Sequence, residues 1–332
     1  MYHSIIRPVL FLIDPEKVHK QLFGMMNIYK HLSPLRIWIR KYCNTSTPYS
    51  FRNMKFKNRI GLSAGFDKNG VAFDELADFG FGFLELGTVT PDNQSGNPVP
   101  RIFRLVKDDS LISRTGFNNE GLYPLLERLK KIKNRDYVLG VNINKDAASC
   151  GEQVIADFNL LFEELYPYVD YFTLNWGSIE TETFTHVLES LGEIRKKQSS
   201  SKSILIKLPA DISPEILDNI ITIAYTHGVD GFIATGPTLD RSALKNTTPK
   251  QLHSIGAGGV SGKGIGDKAL KIVLHLAKAT KGDFLIIGAG GIMTPSNARE
   301  MLKAGADLVQ IYSAFIYEGP FIVRKIGKAI GQ

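Results

Sequence analysis

The sequence predicts an α/β fold, a (β/α)8 TIM barrel with a small N-terminal two-helix extension. Three observations predict it. From residue 60 onward, eight short apolar runs alternate with eight helical patterns, as parallel strands joined by crossover helices require. Polar and glycine residues crowd the C-terminal ends of those runs, the end at which barrels of this type build their sites. The first fifty residues differ from the rest in pattern and in charge. A doubly wound open sheet also satisfies the alternation and stands as the alternative.

The runs that read as strands are 60–65, 82–88, 137–143, 171–175, 204–208, 231–235, 284–288 and 308–312. Helical spacing of apolar residues covers 71–79, 119–133, 152–167, 182–197, 214–227, 265–280, 295–303 and 319–330. Apart from Ser199-Ser200-Ser201, no repeat or low-complexity tract interrupts the pattern.

Of the 332 residues, 43% are apolar and 22% charged, the balance of a globular protein rather than a disordered chain or a membrane bundle. The longest apolar run, Val9 to Ile13, is far short of the ~20 residues a spanning helix needs. Asp14-Pro15-Glu16 follow it directly, which is unlike a signal-peptide cleavage site. Two cysteines, Cys43 and Cys150, cannot build a disulfide framework or a cysteine zinc site within one chain.

The net charge is +7, and five of those charges lie in residues 1–50. A nucleic-acid binder spreads basic patches over its body, so no nucleic-acid partner is expected. A basic terminal piece on a near-neutral body suits an anionic surface such as a membrane, or a solvated helical pair. Asp14 is placed to cap a first helix, with Pro15 in its first turn. Val18, Leu22, Met25, Met26 and Tyr29 make its apolar stripe. Ser33-Pro34 repeats the start signal, and Leu35, Trp38, Ile39 and Tyr42 form a second stripe. Two short helices bury little alone, so these stripes face the barrel, a lipid surface or both. Residues 44–50 read as a polar linker, which divides the chain into 1–45 and 46–332.

Two features carry chemistry. Gly288-Ala-Gly-Gly291 ends the seventh strand, with Ser313 just past the eighth. A glycine turn there exposes backbone N–H groups where this fold holds phosphate. Lys207 follows Ile204-Leu205-Ile206 inside the fifth strand. A barrel strand cannot bury a lone ammonium, so the lysine needs a carboxylate, an anionic cofactor or a route to solvent.

Taken together the motifs resemble the dihydroorotate dehydrogenase family, in its quinone-dependent, membrane-associated class. The resemblance rests on Leu62-Ser-Ala-Gly-Phe-Asp-Lys68, Gly87-Thr-Val-Thr-Pro91, Gly96-Asn-Pro-Val-Pro-Arg-Ile-Phe-Arg-Leu105, Arg114-Thr-Gly-Phe-Asn-Asn119, Leu239-Asp-Arg-Ser242, Gly258-Gly-Val-Ser-Gly262, Gly288-Ala-Gly-Gly-Ile292 and Gln310-Ile-Tyr-Ser-Ala-Phe315. It implies FMN as cofactor, oxidation of a substrate CH–CH unit and reoxidation by a membrane quinone. By matching position, the flavin contacts are Ala64, Gly65, Thr88, Asn142, Asn175, Lys207, Thr235, Gly262, Gly290, Tyr312 and Ser313. Ser178 takes the position of the catalytic base, Lys68 that of the substrate-binding cation, and Gly116, Phe117 and Asn175 remain in the substrate pocket. His19, Arg104 and Tyr312 fall on the quinone path, and no metal is implied.

The substrate pocket departs from the family pattern. Asparagine positions carry Ser113, Glu180 and Gly236, and Pro237 replaces a hydroxyl neighbour. The segment after Ser178 is shorter than usual. Lost partners for buried polar groups cost ~1–3 kcal/mol each, so these changes predict a changed or broadened substrate. Glu180 reads as a base, a repeller of a substrate carboxylate, or a solvated acid. The default substrate is dihydroorotate. The alternatives are a related flavoprotein with another small substrate, a catalytically weak FMN-binding paralogue, and a flavin-free phosphate-binding barrel. The expected location is the cytoplasmic side of a bacterial inner membrane, with peripheral contact through residues 1–45.

Overall fold

A computed structural model describes residues 2–132 and 134–331, the side chain of Ser178 excepted. Eight parallel strands follow one another around a ring: β1 (Ile60–Leu62), β2 (Phe83–Val89), β3 (Val138–Ile143), β4 (Tyr171–Asn175), β5 (Ser203–Leu208), β6 (Gly231–Ala234), β7 (Leu285–Ala289) and β8 (Leu308–Ile311). β8 pairs with β1 in the register Val309 to Ile60, Gln310 to Gly61 and Ile311 to Leu62, which closes the barrel. The closed ring excludes the open-sheet alternative and matches the predicted strands to within one to three residues at their ends.

Alternation along each strand divides the apolar residues into two sets. Leu84, Leu86, Leu139, Val141, Phe172, Leu174, Ile204 and Ile206 point outward into one large core beneath the surrounding helices. Phe83, Val138, Tyr171, Leu205, Ile233, Leu285, Ile287 and Leu308 point inward and fill the N-terminal half of the barrel. Glycine makes this filling possible at two places. A Cβ on Gly61 would lie 2.3 Å from the Phe83 ring, and one on Gly140 would lie 2.0 Å from the Tyr171 ring.

Several elements were not in the sequence reading. Part of the expected linker is a strand: Tyr49–Phe51 pairs antiparallel with Met54–Phe56. Met54 and Phe56 plug the barrel floor, and the Phe56 ring meets Phe83 edge-on at 5.4 Å. A three-stranded antiparallel sheet joins Ile102–Leu105 and Ser110–Ser113, from the loop after β2, to Gly259–Gly262, from the loop after β6. It has its own small core of Leu105, Ile112, Leu244, Ile255 and Val260. The terminal helix forms only over Ile322–Ile330, because Gly319 (φ +81°) and Pro320 break the chain after a five-residue helix, Ser313–Tyr317. The helix expected over 119–133 is limited to Leu122–Leu129.

The N-terminal segment adds two short helical turns, Tyr2–Ile6 and Arg7–Phe11, before the expected pair Pro15–Tyr29 and Ser33–Cys43. Asp14 caps the first of the pair, its carboxylate accepting from the N–H groups of Glu16 and Lys17. Ser33 does not cap the second: it is the first helical residue, and Leu32 precedes it with no side-chain cap. Each apolar stripe splits. Met26, Tyr29, Ile39 and Cys43 face the barrel, whereas Met25, Ile28, Ile37 and Trp38 are more than half exposed.

A charge cluster bolts the pair to the barrel. Asp78, whose side chain is fully buried, accepts from Arg36 Nε at 2.7 Å, from the Tyr29 hydroxyl at 3.0 Å and from Arg40 Nε. Arg36 also donates to Asp74 at 2.8 Å. Removing a buried partner strands the remaining charge and costs ~3–5 kcal/mol. Asp78→Ala should therefore lower stability by roughly 3 kcal/mol. It should also expose residues 1–45 to limited proteolysis before the barrel is cut; unchanged melting and cleavage would show that this cluster does not hold the segment.

Candidate active site

The inward side chains change character toward the C-terminal end of the barrel. Below are aromatic and aliphatic groups; above them sit Glu85 of β2, Asn142 of β3, Asn175 of β4, Lys207 of β5 and Gln310 of β8. The strand parity that buries Phe83 also turns Glu85 inward, two residues on. Its side chain has no exposed surface. One carboxylate oxygen accepts from Asn142 Nδ2 at 3.2 Å and lies 3.6 Å from Lys207 Nζ. The other accepts from Gln310 Nε2 at 2.8 Å and from the Tyr171 hydroxyl at 3.3 Å. Burial next to a carboxylate pushes the Tyr171 hydroxyl well above its ordinary range, so it stays a donor. Lys207 Nζ further donates to Ser63 Oγ at 3.3 Å. Glu85 is thus the anionic partner that Lys207 requires. Sequence reasoning demanded such a partner without finding it. The available signal was an acid in an otherwise apolar strand, at the inward parity.

Toward the mouth, Asn142 Oδ1 accepts from the Thr88 hydroxyl at 2.7 Å and from Asn175 Nδ2, which also donates to Thr88 Oγ1 at 3.2 Å. Three predicted residues from three strands thereby form one polar patch. Beside it, Gly65 N–H donates to Gly87 O at 2.7 Å and follows Ala64, and the Tyr312 hydroxyl reaches Gly65 O at 3.5 Å. Thr235 directly follows β6 and donates to Gly236 O at 2.8 Å.

The glycine turn after β7 packs against a helix start. Gly291 (φ +73°) approaches Gly266 so closely that a Cβ would lie 2.1 Å from the Gly266 Cα. Gly266 begins the helix Gly266–Thr280, which has no side-chain N-cap; its own N–H donates back to Lys263 O, and the N–H groups that follow it in the first turn keep their capacity for an anion. Gly290 is in the same turn. Gly262 ends the side-sheet strand just before it, and Ser261 Oγ lies 3.4 Å from Ser313 Oγ.

The predicted substrate positions lie on loops around this mouth. Lys68 Nζ donates to Thr115 Oγ1 at 3.1 Å and to Asn118 Oδ1 at 2.5 Å. Burial, with Arg101 nearby, pulls its ammonium down to about 8. Gly116 and Phe117 turn the 114–118 loop with successive positive φ values of +66° and +53°. Ser113 ends its strand opposite Gly259, and Pro237 packs on Gly259. Gly236 N–H donates to Leu208 O at 2.8 Å. Glu180 is exposed and precedes the helix Thr181–Lys196. The backbone of Ser178 lies in the turn Trp176–Ser178 after β4; its side chain is outside the described residues.

Of the three residues expected on a quinone path, the structure joins two. His19 Nε2 hydrogen-bonds to Phe66 O at 2.8 Å, and the Phe66 ring lies between His19 (5.5 Å) and Tyr312 (5.6 Å). Burial lowers the pKa of His19, so the ring is held neutral. Arg104 is spent elsewhere. It donates to Leu10 O at 3.2 Å and Ile13 O at 2.7 Å, and stacks on Phe11 at 4.6 Å, anchoring the first helical turns.

This is a closed α/β barrel with a charged, polar mouth at the C-terminal ends of its strands, the architecture of a barrel enzyme. Residues 48–332 match the sequence model of the family described as Dihydroorotate dehydrogenase, and the chain belongs to that family. A relative from Christiangramia forsetii, named "Dihydroorotate dehydrogenase (quinone)", is 37% identical over 342 residues, covering 99% of this chain and 98% of its own. One of the same name from Proteus mirabilis is 38% identical over 339 residues, covering 98% and 99%. Among solved structures, a DHODH from Eimeria tenella in complex with ferulenol superimposes with a TM-score of 0.81 at 27% identity, covering 96% of this chain and 90% of that one.

The Lys68 environment sets a pH dependence. Below pH 8 the ammonium attracts an anionic ligand, and above it the neutral amine does not. Affinity for orotate, the oxidised counterpart of the substrate for which those relatives are named, should fall about tenfold per pH unit above that point. Lys68→Met should be weak throughout and flat with pH, as read by ligand titration; an unchanged slope would assign the dependence to another group.

Proposed function

We propose that this chain oxidises dihydroorotate to orotate, with FMN as bound cofactor and a membrane quinone as electron acceptor. The observation that carries the reading is the mouth of a dihydroorotate dehydrogenase-family barrel that holds a lysine, two asparagines and a threonine beside a glycine-lined helix start. That donor set fits FMN. Lys207, Asn142, Asn175 and Thr88 offer hydrogen bonds to the polar edge of a flavin ring, with Ala64, Gly65, Thr235 and Tyr312 around it. Gly262, Gly290, the N-terminus at Gly266 and Ser313 offer an anion cradle for its phosphate. Bound there, FMN would supply the two-electron redox chemistry that links oxidation of the substrate CH–CH unit to reduction of quinone.

The chain's own groups do the rest. Lys68 holds the substrate carboxylate, Asn175 and the Gly116–Phe117 turn bound the pocket, and Ser178 takes the proton from the adjacent carbon. A serine is a weak base at its free pKa, so as Ser178 takes this proton its own hydroxyl proton passes on through a relay to solvent, in a site otherwise closed. The shared name of the relatives favours dihydroorotate over a different substrate. The replacements Ser113, Glu180, Gly236 and Pro237 then leave recognition of the ring to backbone groups and water.

Residues 1–45 serve as the membrane and quinone-access segment. Among the described residues, eleven of the twenty-two exposed large apolar side chains fall between Ile5 and Tyr42, on the part of the chain that holds most of its net positive charge. Among the described residues no helix is long and apolar enough to cross a membrane; the exposed apolar and basic surface supports peripheral contact, on the cytoplasmic side of a bacterial inner membrane. His19 and Tyr312, joined through Phe66, flank the quinone path, and Arg104 shapes it by fixing Leu10 and Ile13.

Anaerobic mixing with dihydroorotate should bleach the flavin absorbance within the enzyme's turnover time. If it stays yellow while another compound with an activated CH–CH unit bleaches it, the substrate assignment is wrong. His19→Ala should leave that bleaching rate intact and slow reoxidation by a hydrophobic quinone in vesicles on the order of tenfold or more, as misplaced reactants do. Equal slowing of both half-reactions would remove His19 from the quinone path.

A further inference from the structure

We propose that Glu85 is a positioning residue that sets how much positive charge Lys207 presents to the bound cofactor, and so the potential at which that cofactor is reduced. The inference rests on FMN occupying the barrel mouth.

The geometry of the pair is unusual for a salt bridge. Lys207 Nζ and Glu85 Oε1 are 3.6 Å apart, close enough for strong Coulomb attraction and too far for a hydrogen bond. The ammonium has three N–H donors. Ser63 takes one at 3.3 Å, and the 3.6 Å gap leaves the ammonium capacity to donate toward a ligand. The Glu85 carboxylate needs no hydrogen bond from Lys207, because Asn142, Tyr171 and Gln310 already donate to its two oxygens. Those donors are neutral, so the negative charge stays in place and acts on Lys207 through space. Both side chains are screened from water: that of Glu85 is fully buried and that of Lys207 is 11% exposed. Charges so placed interact more strongly than at a surface.

A flavin that takes up two electrons and one proton gains one negative charge. Lys207 stabilises that charge, and Glu85 competes for the same ammonium. Glu85 also orients Asn142, which in turn accepts from Thr88 and Asn175, so one carboxylate governs both the charge and the direction of the hydrogen-bonding groups at this edge.

Glu85→Gln keeps the size and one of the two accepting oxygens and removes the charge. In the FMN-loaded protein it should favour the reduced over the oxidised cofactor by about tenfold, which raises the two-electron midpoint potential by ~30 mV in a reductive titration against a reference dye. Glu85→Asp keeps the charge and draws it back from Lys207, and should favour the reduced cofactor by about threefold, ~15 mV. This second variant carries the test if the glutamine protein does not fold. In a Lys207→Met background, Glu85→Gln should leave the potential unmoved. An unchanged or lowered potential in either single variant overturns the proposal, as does an equal shift in the Lys207→Met background. Unaltered protein that takes up no FMN overturns the functional reading beneath it; a Glu85 variant that binds FMN with an unmoved potential overturns this inference alone.

Discussion

One carboxylate, Glu85, sits inside the closed ring with no solvent to hydrate it, and the upper barrel is arranged around satisfying it. Burying an ion costs several kcal/mol unless charge and hydrogen bonds compensate. Here the compensation comes from β3, β4, β5 and β8 at once. Only a closed ring brings those strands within reach of one side chain. Asn142 cannot turn away without leaving Glu85 a donor short, and its other end fixes Thr88 and Asn175. The polar mouth is therefore ordered before any ligand arrives, which lowers the reorganisation a bound group must impose.

The apolar half below has the complementary task. Phe83 and Tyr171 are large enough to fill the interior only because Gly61 and Gly140 withdraw their side chains. The hairpin at Tyr49–Phe56 seals the floor with Met54 and Phe56. With the lower end dry and packed, access is confined to the upper end, where the loops after each strand converge.

The N-terminal segment has two unlike faces. Its inner face is tied down by Asp78, Arg36 and Tyr29, and its outer face leaves apolar side chains exposed. A rigid attachment inside and an exposed apolar surface outside suit a segment that docks on lipid while keeping His19 fixed beside Phe66. Arg104 contributes to the same rigidity by closing the first helical turns, a role the sequence did not disclose because its partners are backbone carbonyls of residues some ninety positions earlier.

Local pattern carried the strands, most of the helices, the Asp14 cap, the glycine turn after β7 and the anomaly of Lys207, because each depends on residue type and spacing within a few positions. The family resemblance added candidate roles for Lys68, Ser178 and the flavin-side residues. The floor hairpin and the three-stranded side sheet were not legible: their strands are three or four residues long and look like loops, and the side sheet takes its third strand from a loop far along the chain. The identity of the partner of Lys207 was decided only by tertiary structure. Strand parity says that Glu85 points inward, but that it meets a lysine on β5, a tyrosine on β4 and a glutamine on β8 follows from the register and curvature of the closed sheet. Sequence thus determined which chemical groups face the barrel axis; the fold decided which of them meet, because only there does the cost of burying a charge force distant strands to share it.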